Sequence, residues 1–326
     1  MPSLRSRLLL FIMKNRHLLR FHLRRETIDW HRNESILKFR EECEKGASRF
    51  GKIPKGIEVS PVTINGLSAE WILPSQAMKD KVIFFVHGGG YVSGSCSDHR
   101  IHVAKFVKGS NIGALLFEYR LAPEHHFPAA LDDSVAVYRW LLDQGVSSSN
   151  IVFAGDSAGG GLCLATLLAL RDKGIPLPAA AVTLSPWTDL KCTGESYRSN
   201  ARKCLSPEGT WTAFSKHYVG DHDPGLPWIS PLYGDLHGLP PMLIYVGGDE
   251  ILRDDSIRFA EKAKDAGVDV TLRVGKGLFH CFPVCAPLFP EATHAMDEIC
   301  TFIRTHLMHK NNPHSQATQP TRYTRG

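Results

Sequence analysis

From about residue 81 onward, short unbroken apolar runs alternate with longer stretches in which apolar positions recur every three or four residues. Runs of that kind read as strands covered on both faces, and the longer period reads as helices packed against them. The pattern predicts strands at Val82–Val86, Ala114–Glu118, Ile151–Ala154, Ala180–Leu184, Met242–Val246 and Val270–Val274. Helices are predicted at Ala129–Leu142, Gly160–Asp172, Asp254–Ala266 and Glu291–His306. Gly145, Gly174 and Gly267 stand where helix C-termini need a residue tolerant of positive φ. Ahead of this rhythm, Ile57–Ile64 and Leu67–Leu73 read as antiparallel strands joined at Asn65-Gly66, a hairpin turn. The whole is an α/β chain with a mostly parallel sheet.

The stretch from about 188 to 228 breaks the rhythm, with Trp, Ser, Pro and charged residues and room for at most two short helices. It reads as an insertion which, with residues 1–50, covers the C-terminal edge of the sheet, where open α/β folds bind ligands. The expected organisation is therefore an N-terminal cap segment over 1–50 and a core over 51–308 carrying the cap insertion. The tail, 309–326, lacks apolar residues to bury and is expected to be disordered.

Composition narrows this picture. The net charge is +5, yet residues 1–25 hold seven Lys or Arg and no Asp or Glu, so the remainder is slightly acidic and nucleic-acid binding by the core is unsupported. The apolar run Leu8–Met13 is too short to span a bilayer. Its plain reading is a helix packed on the body of the protein, beside two others: peripheral membrane contact through the basic N-terminus, or an organellar transit peptide. Eight scattered cysteines without CxxC spacing fit free thiols in a reducing cytoplasm.

Candidate chemistry lies at strand ends. Gly155-Asp156-Ser157-Ala158-Gly159 satisfies GxSxG between a buried strand and a helix rich in small residues, the context of a nucleophile elbow. His87-Gly88-Gly89-Gly90 directly follows the strand Val82–Val86. Glycines let backbone N–H groups approach a developing oxyanion, and the expected donors are Gly88, Gly89 and Ala158. After the serine, a base and an acid are required. His280 stands in the loop after Val270–Val274, and Asp249 and Glu250 both follow Met242–Val246. Residue chemistry alone leaves these two carboxylates open. Neither HExxH nor clustered His/Cys spacing points to a metal, and no cofactor is implied.

Taken in order, HGGGYVSGS, EYRLAPEHHFPAALDD, VFAGDSAGG, LSPWTDL, VGGDEILRDDS and the His280 loop resemble the hormone-sensitive-lipase family of esterases, in its microbial carboxylesterase branch, from about Lys81 to His306. The resemblance implies an α/β-hydrolase sheet of about eight strands, flanked by helices, under a mainly helical cap. It implies hydrolysis of small carboxylic esters by Ser157, His280 and a carboxylate. The family's Asp-x-Leu-x-Asp, aligned on Leu252 and Asp254, puts Glu250 in the acid's position, with Asp249 as the alternative; Glu for Asp is a departure from the pattern. Arg120, Pro123 and Glu124 resemble an ion pair and turn that brace the oxyanion loop, and Asp156 resembles a supporting hydrogen-bond partner. The rival activities are a lactonase, deacetylase or amidase with the same triad. A non-catalytic small-molecule receptor is the rival from another class, against which the intact Ser157 and His280 argue. The resemblance leaves oligomeric state open.

Overall fold

The computed structural model describes residues 2–14, 28–47, 52–78, 80–206 and 209–308. The 309–326 tail lies outside the described residues, as does 15–27 of the basic N-terminus. Strands β1 (Ile57–Ile64), β2 (Leu67–Pro74), β3 (Val82–Val86), β4 (Gly113–Phe117), β5 (Ile151–Asp156), β6 (Ala180–Leu184), β7 (Met242–Gly247) and β8 (Val270–Gly275) form one sheet. Their order is β1-β2-β4-β3-β5-β6-β7-β8. β1 and β2 pair antiparallel with Ile64 opposite Leu67, so Asn65 (φ 52°) and Gly66 (φ 85°) make the tight turn. β2 is antiparallel to β4, and every pairing from β4 to β8 is parallel. Each core strand lies within two residues of its predicted ends.

The run Val82-Ile83-Phe84-Phe85-Val86 accounts for the layering. Alternate side chains of a strand point to opposite faces, so Val82, Phe84 and Val86 join one buried cluster while Ile83 and Phe85 join the other. The first cluster takes in α4 (Ala129–Asp143), α5 (Ser157–Asp172) and α8 (Arg253–Asp265); the second takes in α3 (Cys96–Ser110) and α9 (Pro290–Met308). Gly145, Gly174 and Gly267 adopt φ of 84°, 66° and 76°, as their positions at helix ends require. At the N-terminus lie α1 (Leu4–Lys14) and α2 (Asn33–Ala47); the 188–228 stretch holds α6 (Ser196–Ser199) and α7 (Thr210–Val219).

Within the sheet's flanking layers, two helices depart from the pattern reading. Helix α3 is not predicted, because its apolar positions follow a run of glycines that reads as loop. Its start is nonetheless marked: Ser95 accepts from the Asp98 N–H and the Asp98 side chain accepts from the Ser95 N–H, a capping box. Helix α5 begins at Ser157, three residues before the predicted start, since the glycines that lower helix propensity are held there by close packing.

β3 continues into the glycine loop and β5 into α5, and the two strands are neighbours with Val86 opposite Gly155. A Cβ on Gly159 would collide with the carbonyl oxygens of Val86 and His87. The helix start is thereby pressed onto the end of β3. Gly159→Ala is expected to destabilise the fold by about 3 kcal/mol or more, because backbone oxygens cannot step aside as a side chain can. Gly46, in α2, has open space around it; Gly46→Ala is expected to be neutral or to stabilise by up to about 1 kcal/mol. Urea unfolding of the two variants measures the contrast, and equal effects would contradict the packing described.

Candidate active site

Ser157 sits between β5 and α5 with φ 54°. A residue other than glycine in that left-handed region is uncommon and is retained only where its surroundings over-determine it. Here they do: a Cβ on Gly155 would lie 2.7 Å from Gly159 O, and the Trp187 N–H donates to Ser157 O at 3.0 Å. Chain reversal in so little space leaves the Ser157 side chain at the C-terminal edge of the sheet, where the helix has four N–H groups without intrahelical acceptors.

His280 follows β8 and Glu250 follows β7. His280 Nδ1 is hydrogen-bonded to Glu250 Oε2. The carboxylate is fully buried, and its other oxygen accepts from Ser185 Oγ (2.7 Å) and from the Gly247 N–H (2.5 Å). Ser185 Oγ in turn accepts from the Cys281 N–H (3.0 Å), so one hydroxyl ties Glu250 to the loop that carries His280. Asn200 Nδ2 holds the turn from outside, donating to Gly248 O (3.1 Å) and Glu250 O (2.9 Å). The adjacent Asp249 points the other way, toward Lys203 Nζ at 3.9 Å. Of the two carboxylates left open by residue chemistry, the fold thus sets Glu250 against the imidazole. Burial alone would lower the His280 pKa, but its neighbours Cys281 and Glu250 outweigh it and hold the imidazole well above its ordinary 6.5. Cys281 is a packed thiol whose own pKa burial pushes up.

The glycine loop differs from expectation at one position. The Gly88 N–H lies 3.1 Å from Asp156 Oδ1 and 3.2 Å from His99 Nε2, so it is engaged within the protein and is not a free oxyanion donor. Among the described residues, the N–H groups of Gly89, Gly90 and Ala158 have no protein acceptor. Behind the loop stands a group that the motifs did not single out. His99 Nδ1 meets Asp98 Oδ1, and His99 Nε2 lies 3.5 Å from Asp156 Oδ2. Burial disfavours a charged imidazole, but Asp156 and Asp98 raise its pKa to about 10. Burial would likewise raise Asp156, and the His99 charge holds it below the ordinary range instead. A charged His99 cannot accept, so Gly88 donates to Asp156. The S-x-x-D pattern at Ser95–Asp98 is the one local signal that marks this position; only the fold puts Asp98 and His99 behind Asp156.

The expected Arg120–Glu124 ion pair is not formed. Arg120 pairs with Asp133 at 2.8 Å, and Glu124 with Arg40 at 2.7 Å. Arg40, in α2, also donates to Val92 O (2.6 Å) and Ala122 O (2.8 Å). The brace on the glycine loop therefore comes from the N-terminal segment, because Arg40 reaches Glu124, Val92 O and Ala122 O while Arg120 is held by Asp133.

Helix α7 closes the other side. Trp211 meets His280 edge-on at 5.6 Å between ring centroids, Tyr218 stacks on Tyr91 at 3.7 Å, and a Cβ on Gly90 would collide with Phe214. Residues 211, 214 and 218 share one helix face, so a single aromatic face lies over the glycine loop and the imidazole.

A family model described as the alpha/beta hydrolase fold matches residues 83–284. An acetyl-hydrolase of Streptomyces hygroscopicus is 39% identical over 282 residues, covering 85% of this chain and 93% of the relative. An esterase of Acinetobacter venetianus is 37% identical over 248 residues, covering 76% and 82%. The crystal structure of an esterase from the bacterial hormone-sensitive lipase family superposes with a TM-score of 0.85 at 38% identity, covering 94% of this chain and 99% of that one. The chain belongs to the alpha/beta-hydrolase family. Within it, the protein falls among the hormone-sensitive-lipase-like carboxylic ester hydrolases.

The His99 cluster yields a pH-dependent expectation. A histidine whose folded pKa is raised from 6.5 to about 10 contributes stability that is complete below pH 6.5 and is lost as pH rises through about 10. Between pH 7 and 10.5 the wild type should therefore lose more thermal stability than His99→Gln, which lacks the titrating group. Parallel melting curves across that range would show the cluster to be unimportant.

Proposed function

We propose that the protein hydrolyses short- to medium-chain carboxylic esters with Ser157 as nucleophile, His280 as base and Glu250 as the acid that orients it. The observation that carries this reading is the buried carboxylate on His280 Nδ1, at the same sheet edge as the strained Ser157 turn. His280 takes the hydroxyl proton as Ser157 Oγ attacks the ester carbonyl; the carbonyl oxygen becomes anionic and is met by N–H groups of Gly89, Gly90 and Ala158. The C–O bond to the alcohol breaks, and the leaving alkoxide takes the proton from His280. Water then repeats the sequence on the acyl-enzyme, releasing the acid and restoring Ser157. Glu250 stabilises the imidazolium formed in both steps.

The 188–228 insertion, through the aromatic face of α7, and the N-terminal segment act as the cap of this pocket. That enclosure favours acyl groups of about two to eight carbons over palmitoyl chains, and the relative named an acetyl-hydrolase agrees with a small acyl group. A panel of p-nitrophenyl esters, small lactones and anilides separates esterase from lactonase, deacetylase and amidase. Preference for emulsified long-chain triglyceride would overturn the substrate reading.

Ser157→Ala should retain the fold and less than about a hundredth of the activity; an organophosphonate label mapped to another residue would displace Ser157 from its role. Glu250→Gln should lower kcat steeply with little change in KM, whereas Asp249→Asn should be milder, and the reverse order would make Asp249 the acid. The free-enzyme kcat/KM should rise with pH through a midpoint above 6.5, since His280 must be neutral to act and its pKa is raised. Removing the Glu250 charge should move that limb to lower pH.

A further inference from the structure

Helix α1 has apolar residues on two faces, and the body of the protein covers one. Leu9 and Leu10 pack on the cluster beneath α3 and α9, Ser6 is buried, and Ser3 Oγ donates to Glu291 Oε2 at 2.9 Å. Pro2 lies over Gly277, in the turn that leads to His280. The other face is open: Leu4 is 81% exposed, Leu8 61% and Ile12 43%. These residues recur every four positions and fall within about 80° of one another around the helix. The exposed Arg5 and Arg7 flank that stripe on opposite sides. Leu288, three residues before Glu291, presents a further apolar side chain at 57% exposure.

An apolar stripe bordered by arginines is the arrangement of a helix that lies in the plane of a membrane interface, with its apolar side chains among acyl chains and its guanidinium groups at lipid phosphates. No helix among the described residues is long and apolar enough to cross a membrane, so contact would be peripheral. We propose that the outer face of α1 docks the enzyme on an anionic phospholipid bilayer. Charge selects this occupant over a second copy of the chain: two such faces brought together would oppose arginine to arginine, whereas anionic headgroups neutralise them. The attachment of α1 at Gly277 and Glu291 would bring the His280 side of the pocket close to the bilayer surface, where amphipathic esters concentrate.

The test is co-sedimentation of the full chain with vesicles of phosphatidylcholine alone and of phosphatidylcholine with one quarter phosphatidylglycerol, at low and high salt. Partitioning should be at least about tenfold stronger on the anionic vesicles and should weaken with salt. Leu4→Ser/Leu8→Ser and Arg5→Glu/Arg7→Glu should each reduce it about tenfold or more while p-nitrophenyl acetate hydrolysis and the circular dichroism spectrum stay unchanged. Equal binding to neutral vesicles, no binding to either, or double variants that bind like wild type would each overturn the proposal. A wild-type dimer that the leucine variant converts to a monomer would overturn it in favour of self-association. None of these outcomes depends on which residues hydrolyse the ester.

Discussion

Everything at the sheet edge depends on one backbone conformation, the left-handed φ of Ser157 between β5 and α5. That geometry exists only because Gly155 and Gly159 let strand and helix approach until their backbones touch, and because Gly159 seats against Val86 and His87. Conformational strain of this kind costs on the order of 1–3 kcal/mol and persists because its neighbours leave no alternative. The same contact that holds the nucleophile turn also fixes the beginning of the glycine loop. The Ser157 turn and the glycine loop are therefore parts of one rigid unit.

Charge placement around that unit follows a common logic. Two carboxylates lie buried or nearly so, Glu250 and Asp156, and each is matched by an imidazole on one oxygen and by backbone or hydroxyl donors on the other. Buried ions left without partners would be costly, so the polar groups around them are fixed in direction before any substrate arrives. Such preorganisation is what makes a dipole effective against developing charge. His280 and His99 differ in consequence because of what faces them. His99 lies between two carboxylates, while His280 has one carboxylate partner and an edge that is partly open.

Much of this was legible in the chain. The six core strands, the hairpin and the helix-ending glycines agree with the structure, and Ser157, His280 and Glu250 stand at the strand ends where the pattern put them; the roles given to these three belong to the proposed function. Local patterns carry such features because they are set by residues adjacent in sequence. What was not legible depends on distance. Arg40 reaches Val92 and Ala122 across 52 and 82 residues, and Ser185 joins Glu250 to Cys281 across 65 and 96. The engagement of Gly88 is of the same type, since only the pairing of β3 with β5 brings Asp156 beneath it. No spacing rule encodes a partner that lies on another strand.

The hydrogen bond from Ser3 to Glu291 links positions 288 residues apart, and it has a consequence for biogenesis. A ribosome delivers α1 long before α9, so α1 must wait while the residues between them emerge. Contacts of such separation form late and are reached only after the intervening chain has ordered. During synthesis the Leu9 and Leu10 face is as uncovered as its opposite, and the nascent chain carries a helix with two open apolar faces that a chaperone or a nearby surface is free to hold. The docking of α1 on α9 is thus a late step in folding, and one open to interception.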